Sequence, residues 1–425
     1  MDSSCCCIGE IKAMKITDVT TVLLTGPCTG DPYLLELRKW RSAAFIEIHM
    51  DDLGLVGLGE TYAGYFCPEI IPEMVEFFKP ILLGQNVDDI PELWQRMYHC
   101  GNFWCRVGLG ASVLSGIESA LWDLKGKLEG KPVSELLGGS VHEKLFCYAT
   151  GGPSNYPTEH LAEKLDFYQS LGFKAAKLGV GSYSKEDGSR LSNDPNEAAD
   201  FEAGKLDFVR SRYGGDFQLM LDGHMGNSST HTWDTATAIA VVKACEPYDL
   251  FFFEEPLHYT DPWGYAELCA ATSVPIAGGE CLTADYEWRT FIERDCFDIG
   301  QPDAGFMGGL SEFMTVAKRF EDKGRKIATH AWGAGGVFMQ NLHCGFACSN
   351  TAILEIPPAW GPLHSEVVGD SFQMEDGNVL PPTKPGLGIV LSDETKAAFP
   401  FVPGSGEYNN VPGKILPEHR KENQS

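Results

Sequence analysis

An alternation of short apolar runs with amphipathic segments, which begins at about residue 146, most strongly limits what this chain can fold into. Eight runs have the length and composition of buried strands: LFCYATGG, KAAKLGVG, FQLMLDGHMG, LFFFEEP, VPIAGGE, FDIGQPD, RKIATHAWG and TAILEI. Helical patterns separate several of them, such as DTATAIAVVKACEPYD and LSEFMTVAKRFEDKG. Because crossover helices join neighbouring parallel strands, these units predict a parallel (β/α) barrel.

A doubly wound open sheet is the alternative fold for the same alternation. Its dinucleotide-binding form requires a GxGxxG motif directly after the first strand, and no such motif follows LFCYATGG. The sequence therefore excludes that form and leaves other open sheets as the alternative to a barrel.

The residues before about 145 have a different pattern. Meander strands are indicated by KITDVTTVLL, SAAFIEIHMDD and GLVGLGETYAG, and helices by PEIIPEMVEFFKPILLG, DIPELWQRMYHCG and GLGASVLSGIESALWDLKGKLEG. We predict an α+β capping domain over 1–145, in which 1–13 form an unstructured tail, and a barrel domain over 146–370. The short strands and turns of 371–425 are expected to pack back on the capping domain.

Composition and charge restrict the possible partners and location. The net charge of −26 argues against nucleic acid, which requires a basic surface. The chain has no run of about 18 apolar residues, which a membrane span would require, and its first residues do not form a secretion signal. We therefore expect a cytoplasmic protein that does not bind membranes. We also expect a homo-oligomer, and the polar stretch 182–196 is a candidate for an oligomer contact or a mobile lid.

The 14 cysteines do not suggest a disulfide framework. Cys147, Cys245, Cys269 and Cys348 lie in apolar or helical stretches, where a reduced thiol behaves as a small hydrophobic side chain. The chain has no pair of CxxC motifs, which argues against a thiolate zinc site. The consecutive residues 5–7 (Cys5, Cys6 and Cys7) fit an unstructured tail, with acylation as the alternative.

Acidic residues end three consecutive predicted strands. Asp222, Glu254 and Glu280 close FQLMLD, LFFFE and PIAGGE, each one strand-and-helix unit after the previous one. In a parallel barrel these carboxylates converge on one point of the upper rim, where they repel one another unless a cation is present. Oxygen ligands favour a hard ion, so the sequence predicts a Mg²⁺ site rather than zinc. The alternative is that each acid begins a solvated loop. Glu255 is expected to point the opposite way, to a helix or the rim.

This arrangement resembles the enolase superfamily and, within it, the mandelate racemase-like branch. The resemblance extends from GETYAG near residue 60 to PGLGI near residue 385. It implies a TIM-type (β/α)7β barrel with an α+β capping domain and a small carboxylate substrate. It also implies that Asp303 and His330, after strands six and seven, form a hydrogen-bonded dyad in which His330 is the base, and that Glu355 after strand eight lies beside the substrate carboxylate.

Strand two departs from the pattern of relatives that use a lysine base. Those relatives have a Lys-x-Lys pair, whereas this chain has Lys177-Leu178-Gly179. Lys177 matches the first lysine, which is expected to neutralise the substrate carboxylate, and the second position has no side chain. His224, in strand phase with Asp222, gives an Asp-x-His pattern similar to that of sugar-acid dehydratases, in which the histidine protonates a leaving β-hydroxyl. A satisfied core histidine is the alternative.

The sequence therefore predicts a Mg²⁺-dependent dehydratase of an aldonate or aldarate that forms a 2-keto-3-deoxy acid. A racemase, epimerase or cycloisomerase that uses Lys177 and His330 is the first alternative, and an inactive metal-stabilised interaction protein is the second. Specificity is expected from loops near residues 25–40 and 60–67. Polar candidates for substrate contact are Arg38, Arg41, Tyr62 and Tyr65. Trp332 and Trp360 are candidates for the pocket lining, with the hydrophobic core as the alternative.

Overall fold

A computed structural model describes residues 15–33, 40–50, 54–151, 158–184, 188–227 and 232–405. The predictions for the tail that contains residues 5–7, and for Arg38, fall outside these described residues.

The N-terminal part is an antiparallel sheet covered by helices, as predicted. The strands are β1 (Ile16–Pro27), β2 (Trp40–Met50) and β3 (Val56–Thr61), in the order β1-β2-β3. The helices are α1 (Ala63–Phe66), α2 (Ile71–Leu82), α3 (Ile90–Gly101), α4 (Leu109–Glu129) and α5 (Val133–Leu136). Helix α4 lies directly on β3, since a Cβ on Gly59 would come within 2.2 Å of the carbonyl oxygen of Gly116.

The strands that follow form the predicted barrel. They are β4 (Leu145–Ala149), β5 (Ala175–Gly179), β6 (Ser182–Ser184), β7 (Gly188–Arg190), β8 (Gln218–Asp222), β9 (Phe252–Glu254), β10 (Ile276–Gly278), β11 (Ile299–Gly300), β12 (Lys326–Ala328) and β13 (Thr351–Ile356). All except β6 and β7 are parallel neighbours in chain order, and β13 pairs with β4. This closure confirms the barrel and excludes the open sheet.

In the described part of the chain, seven helices connect the barrel strands, which confirms the (β/α)7β pattern. They are α6 (Thr158–Ser170), α7 (Pro195–Tyr213), α8 (Thr235–Cys245), α9 (Pro262–Ala271), α10 (Ala284–Glu293), α11 (Leu310–Asp322) and α12 (Gly336–Ala347). Among the described helices, none combines the length and the apolar character that crossing a membrane requires. The polar stretch after β5 contains the antiparallel hairpin β6–β7, and its role as a lid or oligomer contact stays a prediction.

The C-terminal part contacts both the barrel and the cap. Its elements are α13 (Pro362–Val368), β14 (Met374–Glu375), β15 (Asn378–Val379) and α14 (Asp393–Ala398). Strand β15 pairs with β4 of the barrel, whereas the nitrogen of Thr25 in β1 donates to the oxygen of Phe399 at 3.2 Å. The nitrogen of Val133 likewise donates to the oxygen of Gly386 at 2.9 Å. The domain boundaries at 145 and 370 stay a prediction.

Two buried carboxylates from the cap hold the N-termini of barrel helices. Glu60, in β3, accepts hydrogen bonds from the nitrogens of Ala334 (2.7 Å) and Val337 (2.9 Å) at the start of α12. Glu118, in α4, accepts from the nitrogens of Leu310 (2.7 Å) and Ser311 (3.2 Å) at the start of α11. The first N–H groups of a helix have no partner within the helix, so these contacts satisfy them and join the cap to the barrel. Burial raises the pKa of both carboxyl groups to about 7.

Replacing Glu118 by alanine is therefore expected to lower the free energy of unfolding by about 2–3 kcal/mol, because buried N–H donors lose their acceptor. Glu118→Gln, which keeps one acceptor oxygen, is expected to lose less. Unfolding in urea measures both values. Glu129→Ala, at the exposed end of the same helix, is the control and should change the value by no more than about 0.5 kcal/mol. Equal losses in Glu118→Ala and Glu129→Ala would contradict this role.

Candidate active site

Lys177 is the centre of a buried charge cluster at the carboxyl ends of the barrel strands. Its side chain, on β5, is only 4% exposed. The Nζ atom lies 3.0 Å from Oδ2 of Asp222, 2.7 Å from Oε2 of Glu254 and 3.3 Å from Oε2 of Glu355. Strands β8, β9 and β13 bring these acids together because parallel strands end at the same rim.

The charges in this cluster strongly affect one another. Burial alone would lower the pKa of Lys177. The charges of Asp222, Glu254 and Glu355 outweigh burial and hold the pKa of Lys177 well above its usual range. Burial raises the pKa of Glu254, and the neighbouring Asp222 raises it again. Lys177 is therefore an ammonium ion that offsets part of the surrounding negative charge.

The predicted dyad is formed by Asp303 and His330. The Nδ1 atom of His330 lies 2.7 Å from Oδ2 of Asp303, and its Nε2 atom lies 3.4 Å from Oε2 of Glu280. The other oxygen of Asp303 accepts hydrogen bonds from the nitrogen of Gly305 (2.7 Å) and Nδ2 of Asn341 (2.8 Å), which fix the carboxylate. Burial lowers the pKa of His330, but Glu280 and Asp303 raise it to about 10.

His224 lies close to Asp222, as expected, although strand phase does not set its direction. Strand β8 ends at Asp222, and His224 has a φ of +47°, so the alternation of an extended strand does not set its direction. Its Nδ1 atom nevertheless lies 3.2 Å from Oδ1 of Asp222, and its side chain is 47% exposed. The imidazole is thus beside the cluster and accessible from outside, unlike the buried His330.

Glu255 also departs from the expectation based on alternation. It is buried, and its φ is +39°, whereas its helix-facing or rim position stays a prediction. Burial raises its pKa well above the usual range, and the charges of Glu280 and Asp222 raise it further. The positive φ takes the chain out of the extended conformation, so strand alternation does not set the direction of Glu255.

Three side chains that support the cluster were not identified from the sequence. Tyr148, on β4, donates from its hydroxyl to Oε2 of Glu355 at 2.6 Å. Gln301 donates from Nε2 to Oε2 of Glu254 at 2.6 Å, and Asn341 holds Asp303 as described above. Tyr148 lies directly opposite Glu355 in the register of β4 and β13, so correct strand pairing is the signal that could have identified it.

The residues predicted to bind metal fit a cation by their chemistry. Among the described residues, no three acidic, histidine or cysteine side chains are already spaced to hold an ion. However, Oε1 of Glu254 is buried without a hydrogen-bond partner, and Oδ2 of Asp222 lies near Lys177 without hydrogen-bond geometry. Buried carboxylate oxygens without partners are costly, and all-oxygen donors suit a hard divalent ion. The donor set therefore fits a divalent cation beside Lys177.

The capping domain reaches the dyad through aromatic side chains. The ring of Tyr62 lies 5.4 Å from that of His330, and Tyr65 stacks on Tyr62 at 5.4 Å between ring centroids. Trp360, a candidate for pocket or core, packs against Phe338 and Phe372 beside the main hydrophobic core. The 60–67 loop is therefore adjacent to the site.

Comparison with known proteins gives matches over both parts of the chain. Residues 19–138 match the model of the mandelate racemase/muconate lactonizing enzyme N-terminal domain, and residues 160–395 match the enolase C-terminal domain-like model. The chain is 31% identical over 353 residues to an arabinonate dehydratase of Saccharolobus solfataricus, which covers 82% of this chain and 87% of the relative.

A second relative and a solved structure are also similar to this chain over most of its length. The chain is 30% identical over 344 residues to an L-talarate/galactarate dehydratase of Salmonella typhimurium, which covers 81% of this chain and 79% of the relative. The crystal structure of a 3,6-anhydro-D-galactonate cycloisomerase from Zobellia galactanivorans superposes with a TM-score of 0.77 at 29% identity. That match covers 91% of this chain and all of the cycloisomerase.

The contacts of His330 predict how it titrates in protein freed of divalent ions with a chelator. We expect it to stay protonated at pH 8, and Asp303→Asn to lower its pKa by at least about one unit, because a hydrogen-bonded negative charge is removed. NMR of isotope-labelled histidine measures both. His364 is the internal control, since burial and the charge of Arg41 lower its pKa to about 3 and keep it neutral. Titration of His330 near pH 6.5 in both proteins would contradict the described contacts.

Proposed function

This chain belongs to the mandelate racemase/muconate lactonizing enzyme branch of the enolase superfamily, and on that premise we propose that it is a Mg²⁺-dependent dehydratase of a sugar acid. The observation that carries the proposal is a pair of histidines in different surroundings. His330 is buried against Asp303, and His224 is half-exposed beside Asp222. Relatives named as arabinonate and L-talarate/galactarate dehydratases support the same class of reaction.

Asp222, Glu254 and Glu280 would hold the metal ion. When bound, the ion supplies positive charge that offsets the negative charge developing on the substrate carboxylate. Lys177 adds a second positive charge from β5, held in place by three carboxylates. Tyr148 and Lys177 both contact Glu355, which fixes that acid at the end of β13.

His330 removes the proton next to the substrate carboxylate through its Nε2 atom. Asp303 accepts the hydrogen bond from Nδ1, so that Nε2 carries the lone pair when the ring is neutral. The imidazolium formed on proton transfer is stabilised by the negative charge of Asp303. His224 gives a proton to the β-hydroxyl as it leaves as water, and the enol product tautomerises to a 2-keto-3-deoxy acid.

A racemase, epimerase or cycloisomerase is the second candidate, favoured by the structural similarity to a protein named as a cycloisomerase. A racemase requires a base on each face of the α-carbon. Gly179 has no side chain, and Lys177 lies within 3.3 Å of three carboxylates, which favour its ammonium form. The position of a second base on β5 is therefore taken by a residue without a side chain, which favours dehydration over racemisation.

A screen of aldonic and aldaric acids with Mg²⁺ tests the proposed reaction. The expected product is a 2-keto-3-deoxy acid from at least one member of the panel, detected as a carbonyl-containing compound and identified by mass spectrometry. Substrate recovered with an inverted centre, and no keto acid, would favour the racemase or epimerase. No conversion of any acid by folded, Mg²⁺-saturated protein would instead favour the inactive interaction protein.

The different roles of the two histidines can be separated by exchange with deuterated solvent. His330→Asn is expected to lose both exchange of the α-proton and formation of the keto acid. His224→Asn should retain some exchange while dehydration falls by about 10²–10⁴-fold, since only the general acid is removed. His99→Asn, an exposed position in α3, is the control and should match the wild type. Unchanged dehydration in His224→Asn would remove that histidine from the mechanism.

A further inference from the structure

Arg41 is a buried cation of the capping domain that the mechanism above does not use. It is the second residue of β2 and is only 1% exposed. Its Nη1 atom donates to the carbonyl oxygen of Gly333 at 3.0 Å. Its Nε and Nη2 atoms are buried and have no hydrogen-bond partner among the described residues. Buried N–H groups without an acceptor are costly, so these atoms point to an acceptor that no described residue supplies.

The polar groups near Arg41 are committed elsewhere. Burial raises the pKa of Glu60 to about 7, and Arg41 is close enough for its charge to offset part of that rise, but both oxygens of Glu60 accept backbone hydrogen bonds at the start of α12. His364 accepts a hydrogen bond at Nδ1 from the nitrogen of Gly361, so its Nε2 donates to the oxygen of Gly333, the same oxygen that Arg41 uses. Neither side chain therefore satisfies Nε and Nη2 of Arg41.

Aromatic contacts connect Arg41 to the dyad indirectly, through the rings of neighbouring residues. The guanidinium carbon lies 4.7 Å from the ring centroid of Trp332 and 4.9 Å from that of Tyr65. Trp332 is two residues after His330 in the chain, and Tyr65 stacks on Tyr62, which contacts the ring of His330. Arg41 is thus separated from the catalytic histidine by little more than one layer of aromatic rings. Cation–π contacts stabilise the charge but leave the in-plane N–H groups unpaired.

We propose that Nε and Nη2 of Arg41 bind the distal carboxylate of a dicarboxylic sugar acid. These two atoms form one edge of the guanidinium, which binds the two oxygens of a carboxylate through parallel hydrogen bonds. An aldonic acid has a neutral hydroxymethyl group at that end, which has one oxygen and no charge. The inference rests on the proposed function and narrows its substrate class to aldaric acids.

Pairs of acids that differ only at C6 test this inference. Galactarate and galactonate form one pair, and glucarate and gluconate form another. We expect wild-type enzyme to have a kcat/KM at least about 10²-fold higher for the diacid of the pair that it accepts. Arg41→Met should lose about 10²–10³-fold on the diacid, as expected when one partner of a buried charge pair is removed, and change little on the monoacid.

Arg41→Lys keeps the charge without the planar fork and should lose at least about tenfold on the diacid alone. This milder variant keeps the test valid if Arg41→Met does not fold, and thermal unfolding monitors both. Arg96→Met, an exposed arginine of α3 bonded to Gln85, is the matched control and should leave both members of a pair unchanged.

Equal losses on the diacid and the monoacid in the Arg41 variants would show a structural role and overturn the inference. A wild-type enzyme that dehydrates the monoacids as fast as the diacids would also overturn it, while leaving the proposed dehydratase function intact. Absence of keto product from every pair would contradict the proposed function and, with it, the assignment of Arg41.

Discussion

The concentration of negative charge at the mouth of the barrel is the constraint on which the rest of the structure depends. Closure of the sheet between β13 and β4 directs every barrel strand to the same rim, so acids that are far apart in the chain must lie together. One ammonium, that of Lys177, contacts Asp222, Glu254 and Glu355, and the pKa of Glu254 is still raised. Burial and the charge of Asp222 cause that rise, so a cation at this rim would stabilise the ionised form of Glu254.

The same contacts that join the cap to the barrel also stabilise the loops of the dyad. His330 precedes α12, whose first turn is held by Glu60, and Asp303 precedes α11, whose first turn is held by Glu118. Each strand end that carries a member of the dyad is thus followed by a helix whose N-terminus is bonded to a buried carboxylate of the cap. Docking of the cap and orientation of the dyad are consequently one structural feature, and the aromatic rings of the 60–67 loop complete it from above.

The sequence predicted those parts of the site that depend on topology and strand ends. Asp222 and Glu254 could be located because each directly follows an apolar run whose place in the barrel is fixed by order. Asp303 and His330 could be located through the family resemblance of the strand ends that follow. The side-chain directions of His224 and Glu255 could not be predicted, because both residues have a positive φ and so do not follow the alternation of a strand.

Supporting residues were missed for a different reason. Tyr148 and Gln301 contact acids far away in the chain, and such contacts have no local sequence pattern. The surroundings of Arg41 likewise depend on how the cap docks on the barrel, since its contacts with Gly333 and Trp332 join the two parts.

The most direct test of the account is a crystal structure of the protein soaked with Mn²⁺, with anomalous scattering used to locate the ion. The account predicts one strong peak bound by carboxylate oxygens of Asp222, Glu254 and Glu280, close to the Nζ atom of Lys177. No peak at saturating Mn²⁺, with Lys177 still bonded to its three carboxylates, would show that the lysine alone balances the cluster and would contradict the account.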